Sequence, residues 1–302
     1  MDFVNRVHPE LRDALQQMAE FHLKEDLAKA RSNPKPPFRP SERVVIRDVH
    51  IPGAGGQQMW VRIYEPVQRE ADKVPALLWI HGGGYVLGDP LFDDNLCQIF
   101  VEAAGCIVFS PDYRLAPEHP YPAGLEDCYA ALQWIHESAD AFRIDAQRVA
   151  IAGASAGGGL TAALALLARD RGGPAVCFQM PLYPMIDDRN KLPSVHEITY
   201  PKAWNRQNNV EAWAMYLGGK KDDVPPYAAP IRADNLAGLP PTYTCIGQLD
   251  AFRDETIEYV TRLAQAGVDV EFHLYPGAYH GFEIAAFDTA YGTRVRNDYV
   301  RA

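Results

Sequence analysis

The sequence predicts an α/β fold, a mostly parallel eight-stranded sheet flanked by helices, and three observations carry this. Short runs such as 76–80 (ALLWI), 107–110 (IVFS) and 149–152 (VAIA) are almost wholly apolar, as strands covered on both faces are. Helix-like stretches at 93–104, 125–138, 157–170 and 254–266 alternate with them, and strand–helix alternation builds parallel sheets. The 302 residues, 47% hydrophobic and 23% charged, suit a large buried core rather than a disordered chain.

The elements follow in order. From 9 to 30, apolar residues recur at Leu11, Leu15, Met18, Phe21 (or His22) and Leu27, one stripe at helical period, which predicts a single amphipathic helix. The stretch 31–41 (RSNPKPPFRPS) carries four prolines and predicts a linker. The alternating runs 43–50 and 59–64, joined by the glycine-rich turn 52–56, predict an antiparallel hairpin, so the sheet is mixed. The strands 176–180, 242–246 and 270–275 complete the eight. Between Tyr183 and Pro241 lie almost sixty residues, against roughly thirty for an ordinary crossover. This stretch holds Trp204, Trp213, Met215 and Tyr216, and predicts a helical insertion packed with the N-terminal helix over one end of the sheet.

Charge and cysteines narrow the function. With 39 acidic against 29 basic side chains the net charge is −10, which disfavours nucleic acid and anionic membrane surfaces. Cysteines 97, 106, 128, 177 and 245 form no CxxC pair and no zinc-like cluster, so reduced, mostly buried thiols and no metal are expected. The N-terminus shows no basic stretch followed by an apolar one, and no run of eighteen apolar residues occurs. A cytoplasmic protein is expected.

The chemistry concentrates at three places. Gly153-Ala154-Ser155-Ala156-Gly157 is a GxSxG between a strand and an Ala/Leu-rich helix. Such a turn strains the serine backbone, and the flanking glycines let strand and helix approach. It also sets Ser155 at a helix N-terminus, where the dipole favours developing negative charge. His81-Gly82-Gly83-Gly84-Tyr85 follows the strand 76–80, and three successive glycines suit N–H groups converging on an oxyanion. A phosphate-cradling loop lacks its pattern here, so no cofactor is expected.

A serine nucleophile needs a base, and the base an orienting acid. Of nine histidines, His280 lies in a loop just past the last strand, at the sheet edge where α/β sites form. His81 reads as a brace for the glycine loop, and His273 as part of the last strand. Asp250 follows the strand 242–246 and is the preferred acid; Asp254 and Glu255 begin the next helix, where dipole pairing or capping accounts for them.

Together HGGGY at 81–85, PDYRLAPEHPYPA at 111–123, GASAGG at 153–158, DAFRDE at 250–255 and HGF at 280–282 resemble the hormone-sensitive-lipase-like (bacterial family IV) esterases of the α/β-hydrolase superfamily. The resemblance implies a serine carboxylesterase in which Ser155, Asp250 and His280 act together and the N–H groups of Gly83, Gly84 and Ala156 form the oxyanion hole. It implies a small-molecule ester substrate, and a helical cap made of residues 1–45 and an insertion at about 185–225 on a catalytic domain 46–302. Ala154 stands where the family often has Asp, and Ala251-Phe252 where it commonly has Pro-Leu. Two rival activities share the scaffold: an arylformamidase-like amide hydrolase, and a non-catalytic receptor, which the presence of His280 disfavours. The final strand is expected at a sheet edge, in a monomer or homodimer.

Overall fold

The eight strands form one sheet: β1 (Val44–Pro52), β2 (Gln58–Pro66), β3 (Val74–Ile80), β4 (Ile107–Pro111), β5 (Ile144–Ala154), β6 (Phe178–Leu182), β7 (Thr242–Leu249) and β8 (Val270–Tyr279). The computed structural model describes residues 3–220 and 222–302. Met1, Asp2 and Lys221, inside the predicted segments 1–45 and 185–225, lie outside the described residues. The strand order is β1-β2-β4-β3-β5-β6-β7-β8. β1 pairs with β2 and β2 with β4 antiparallel, and every other pairing is parallel. The predicted hairpin and mixed sheet are therefore present. β5 begins several residues before the apolar run that marks it, because residues 145–148 are half-buried or exposed.

The central strands β3 and β4 are buried almost throughout, as their apolar runs require. Helix Ala156–Arg171 lies against β5, β6 and β3 so closely that residues 156–168 are all buried. Its first turn is glycine-rich for a steric reason: a Cβ at Gly157 would stand 2.0 Å from the Ile80 carbonyl oxygen. That contact fixes where Ser155 emerges. β1 and β8 are the sheet edges. Among the described residues no helix is long and apolar enough to cross a membrane.

The predicted continuous helix over 9–30 is instead two helices, Pro9–Gln17 and Leu23–Arg31. The reason lies far along the chain, in helix Arg206–Tyr216 of the insertion. There the buried Asn208 accepts a hydrogen bond from the Leu23 N–H at 2.9 Å and donates one to the Phe21 carbonyl at 3.1 Å. The Phe21 N–H donates to the Pro201 carbonyl. A continuous helix would use these groups internally; bonding them outward breaks it and swings Phe21 towards the C-terminal end of the sheet.

Asn208→Ala strands a buried N–H and a part-buried C=O, at a cost of ~1–3 kcal/mol. Its melting temperature is expected to fall by about 2–6 °C. An unchanged value in a thermal melt would show that the break is held by something else.

Candidate active site

Four connections converge at the C-terminal edge of the sheet, the side where open α/β sheets place their sites. The glycine loop leaves β3, Ser155 follows β5, Asp250 follows β7 and His280 follows β8. Ser155 has φ +59° and ψ −118°, the strained turn expected of a serine between strand and helix. Its N–H donates to the Leu182 carbonyl at 2.9 Å, which ties the turn to β6. The side chain is only 8% exposed.

The structure brings the three predicted side chains into one hydrogen-bonded line. His280 Nε2 lies 2.9 Å from Ser155 Oγ, and His280 Nδ1 lies 2.7 Å from Asp250 Oδ2. The other Asp250 oxygen accepts the Phe252 N–H at 2.9 Å, so the carboxylate has a fixed orientation. Asp250 is buried, and Phe252 and Tyr183 set their ring edges or faces against His280 at 5.0 and 5.2 Å.

The rival acids do something else. Asp254 accepts the Ser194 N–H at 2.8 Å and pairs with Arg253. Glu255 is fully buried, and its Oε1 accepts the N–H groups of Ile186 at 2.8 Å and Asp187 at 3.1 Å. Both begin the helix Arg253–Gln265, as expected, but they bind the insertion's backbone rather than cap their own helix. Burial pushes the Glu255 carboxyl well above its ordinary value.

In the glycine loop Gly83 has φ +119°, and a Cβ there would meet the Leu87 carbonyl oxygen at 2.1 Å. A Cβ at Gly84 (φ +61°) would stand 2.5 Å from the Trp204 ring. The N–H groups of Gly83, Gly84 and Ala156 have no hydrogen-bond partner among the described residues. His81 is buried, its Nδ1 within 2.8 Å of the Gly82 carbonyl and its ring stacked on Tyr113 at 4.3 Å. Burial pushes its pKa down to about 4, so it is neutral, as a brace for the loop should be.

Ser155, His280 and the glycine loop open on a cavity of about 430 Å³. Of the nine histidines only His81 and His280 line it. The aromatic residues of the insertion divide. Trp204 lines the cavity with Phe21 and Tyr183. Trp213 and Tyr216 are buried against Tyr85, at ring-centroid distances of 5.5 and 3.9 Å, and belong to the core. A larger hollow of about 650 Å³ adjoins it past Gly88 and Phe92, but contains none of the predicted site residues.

Comparison with known proteins decides the family. A model of the alpha/beta hydrolase fold family Abhydrolase_3 matches residues 77–284. The esterase LipI of Mycobacterium tuberculosis is 40% identical over 255 residues, covering 83% of this chain and 78% of its own. The chain belongs to the hormone-sensitive-lipase-like esterases of the α/β-hydrolase superfamily. The ethyl acetate hydrolase of Pseudomonas putida is 34% identical, with 78% of this chain and 75% of its own covered. A solved bacterial heroin esterase superposes with a TM-score of 0.90 at 38% identity, covering 100% of this chain and 98% of its own. The esterase is thus a carboxylic ester hydrolase with the predicted fold.

The sequence carries no sign of one more residue in this cavity wall, Asp93. It is 8% exposed, and its Oδ2 accepts the Trp79 Nε1–H at 2.8 Å. Burial pushes its pKa from 3.8 up to about 6. Between those values the folded esterase holds a proton that the unfolded chain has lost, so stability rises as pH falls from about 6 towards 4. Above pH 6 the ionised group costs at most ~3 kcal/mol. Asp93→Asn is therefore expected to melt a few degrees higher than wild type at pH 8 and to converge with it near pH 4. A constant offset across that range would count against this titration.

Proposed function

We propose that the esterase hydrolyses short- to medium-chain acyl esters through an acyl-enzyme intermediate. The carrying observation is the line Ser155–His280–Asp250, open to the cavity at its serine end. In this reading His280 takes the Ser155 proton as Oγ attacks the ester carbonyl. Asp250 keeps the ring in the tautomer with its proton on Nδ1 and stabilises the imidazolium that forms. The N–H groups of Gly83, Gly84 and Ala156 receive the oxyanion, each worth ~3–4 kcal/mol in the transition state. His280 returns the proton to the leaving alcohol, and a water activated by the same ring releases the acid.

Residues 1–45 and the insertion 185–225 are read as a cap on a catalytic domain 46–302. The bonds from Asn208 to Phe21 and Leu23 support this, because they join the two segments beside the cavity. The free cysteines, four buried and Cys177 exposed, agree with a cytoplasmic setting. The β8 edge leaves a monomer or a homodimer as its assembly.

The acyl preference follows from the cavity. Each methylene that finds room adds ~0.8 kcal/mol, until Phe21, Trp204 and Leu87 close the space. Across p-nitrophenyl esters from acetate to palmitate, kcat/KM is expected to peak at butyrate or hexanoate and to decline beyond. A maximum at palmitate would overturn the short-chain reading.

A further inference from the structure

Among the described residues Asp93 is the only acidic side chain lining the cavity that Ser155 opens on, and no Lys or Arg of them lines it. It occupies the N-cap position of helix Asp94–Ala104, where an aspartate ordinarily turns back to accept a first-turn N–H. Asp93 makes no such bond. Its Oδ2 takes the Trp79 N–H, and its Oδ1 has no partner among the described residues.

Its neighbours leave it uncompensated. Asp94 is bound by Arg62 at 2.7 Å and by the Tyr64 hydroxyl at 2.5 Å. Lys35 is engaged by Asp89 and lies over the Phe92 ring. No ion pair reaches Asp93 among the described residues. A carboxylate more than nine-tenths buried and ionised at neutral pH thus faces a cavity whose other walls include the rings of Phe21, Phe92, Tyr183 and Trp204. Aromatic faces and one unpaired carboxylate together form the chemistry that holds an ammonium group.

We propose that Asp93 makes the esterase selective for esters carrying a positively charged amine, the cation seated between Asp93 and the aromatic wall while the ester carbonyl lies at Ser155. This rests on Ser155 being the nucleophile. The cation supplies the counter-charge that the fold withholds, and a same-shaped neutral group would leave the carboxylate buried and unpaired.

The test uses matched esters that differ only in charge. One pair is acetylcholine and neohexyl acetate. The other is two p-nitrophenyl esters whose acyl chain ends in trimethylammonium or in tert-butyl. In the wild type kcat/KM is expected to favour the cationic member of at least one pair by about tenfold or more, and Asp93→Asn to reduce that ratio by about tenfold. Tetramethylammonium is expected to inhibit neohexyl acetate hydrolysis competitively, and less strongly in the variant. Equal rates within both wild-type pairs, or a cationic preference unchanged in Asp93→Asn, would overturn the proposal. If the variant does not fold, the wild-type ratios and the tetramethylammonium competition decide alone. Inert neutral esters together with no labelling of Ser155 by a fluorophosphonate would instead remove the nucleophile on which the proposal stands.

Discussion

Ser155→Ala is expected to lower kcat on p-nitrophenyl butyrate by about a millionfold, leaving only what an empty oxyanion site and binding supply. The size follows from what the hydroxyl does. In the proposed mechanism it is the atom that bonds to the acyl group, and no other hydroxyl lies within reach of His280 in the described hydrogen bonds. Ser194, the other serine near the site, donates to the Ala251 carbonyl and is turned away from the imidazole. The variant should fold normally. Alanine keeps the Cβ, the Ser155 N–H and C=O retain their bonds to Leu182, Gly159 and Met185, and only the bond to His280 Nε2 is lost. The melting temperature should therefore change by no more than about two degrees. A fluorophosphonate should label the wild type and not the variant. Activity within about tenfold of wild type, in protein with a normal melt, would sink the assignment of the nucleophile.

Much of this site was legible because its chemistry demands local patterns. A strained strand-to-helix serine needs Gly157 beside Ile80, and an open loop at φ +119° needs Gly83, so both requirements are written into a few adjacent residues. His280 and Asp250 were legible through position, since both follow strands at the same edge of the sheet.

The features misread or left unread depend on partners distant in sequence. The stripe from Leu11 to Leu27 has helical period throughout, and nothing local announces that Asn208 will claim the backbone of Phe21 and Leu23. Glu255 sits where helices commonly carry an acid, but its burial against Ile186 and Asp187 depends on where the insertion leaves β6. Trp204 and Trp213 are alike in composition and neighbourhood, yet one lines the cavity and the other packs on Tyr85. Which ring faces the cavity is settled by three-dimensional packing. Asp93 is the sharpest case. An acidic pair at a helix start reads as capping, and only the fold turns one member into the cavity.

Asp250→Asn should lower kcat by about ten-thousandfold with little loss of stability, although it exchanges one oxygen for a nitrogen of nearly the same size. The reason is the number of donors that meet at this carboxyl. In the wild type Oδ1 accepts from the Phe252 N–H and Oδ2 accepts from His280 Nδ1, so both positions must be acceptors. An asparagine offers one acceptor and one donor. With its oxygen kept on Phe252, the amide N–H points at Nδ1, which must then give up its proton, and the ring carries it on Nε2 facing Ser155. That tautomer cannot take the serine proton. With the amide turned over, its N–H opposes the Phe252 N–H in a buried site, where an unsatisfied donor costs ~1–3 kcal/mol. The first arrangement is the cheaper, so the variant should fold, retain fluorophosphonate labelling only at a greatly reduced rate, and fail at proton transfer rather than at binding. KM should accordingly change far less than kcat. A variant losing fewer than about tenfold in kcat would mean that Asp250 does not set the tautomer, and the role would pass to another group.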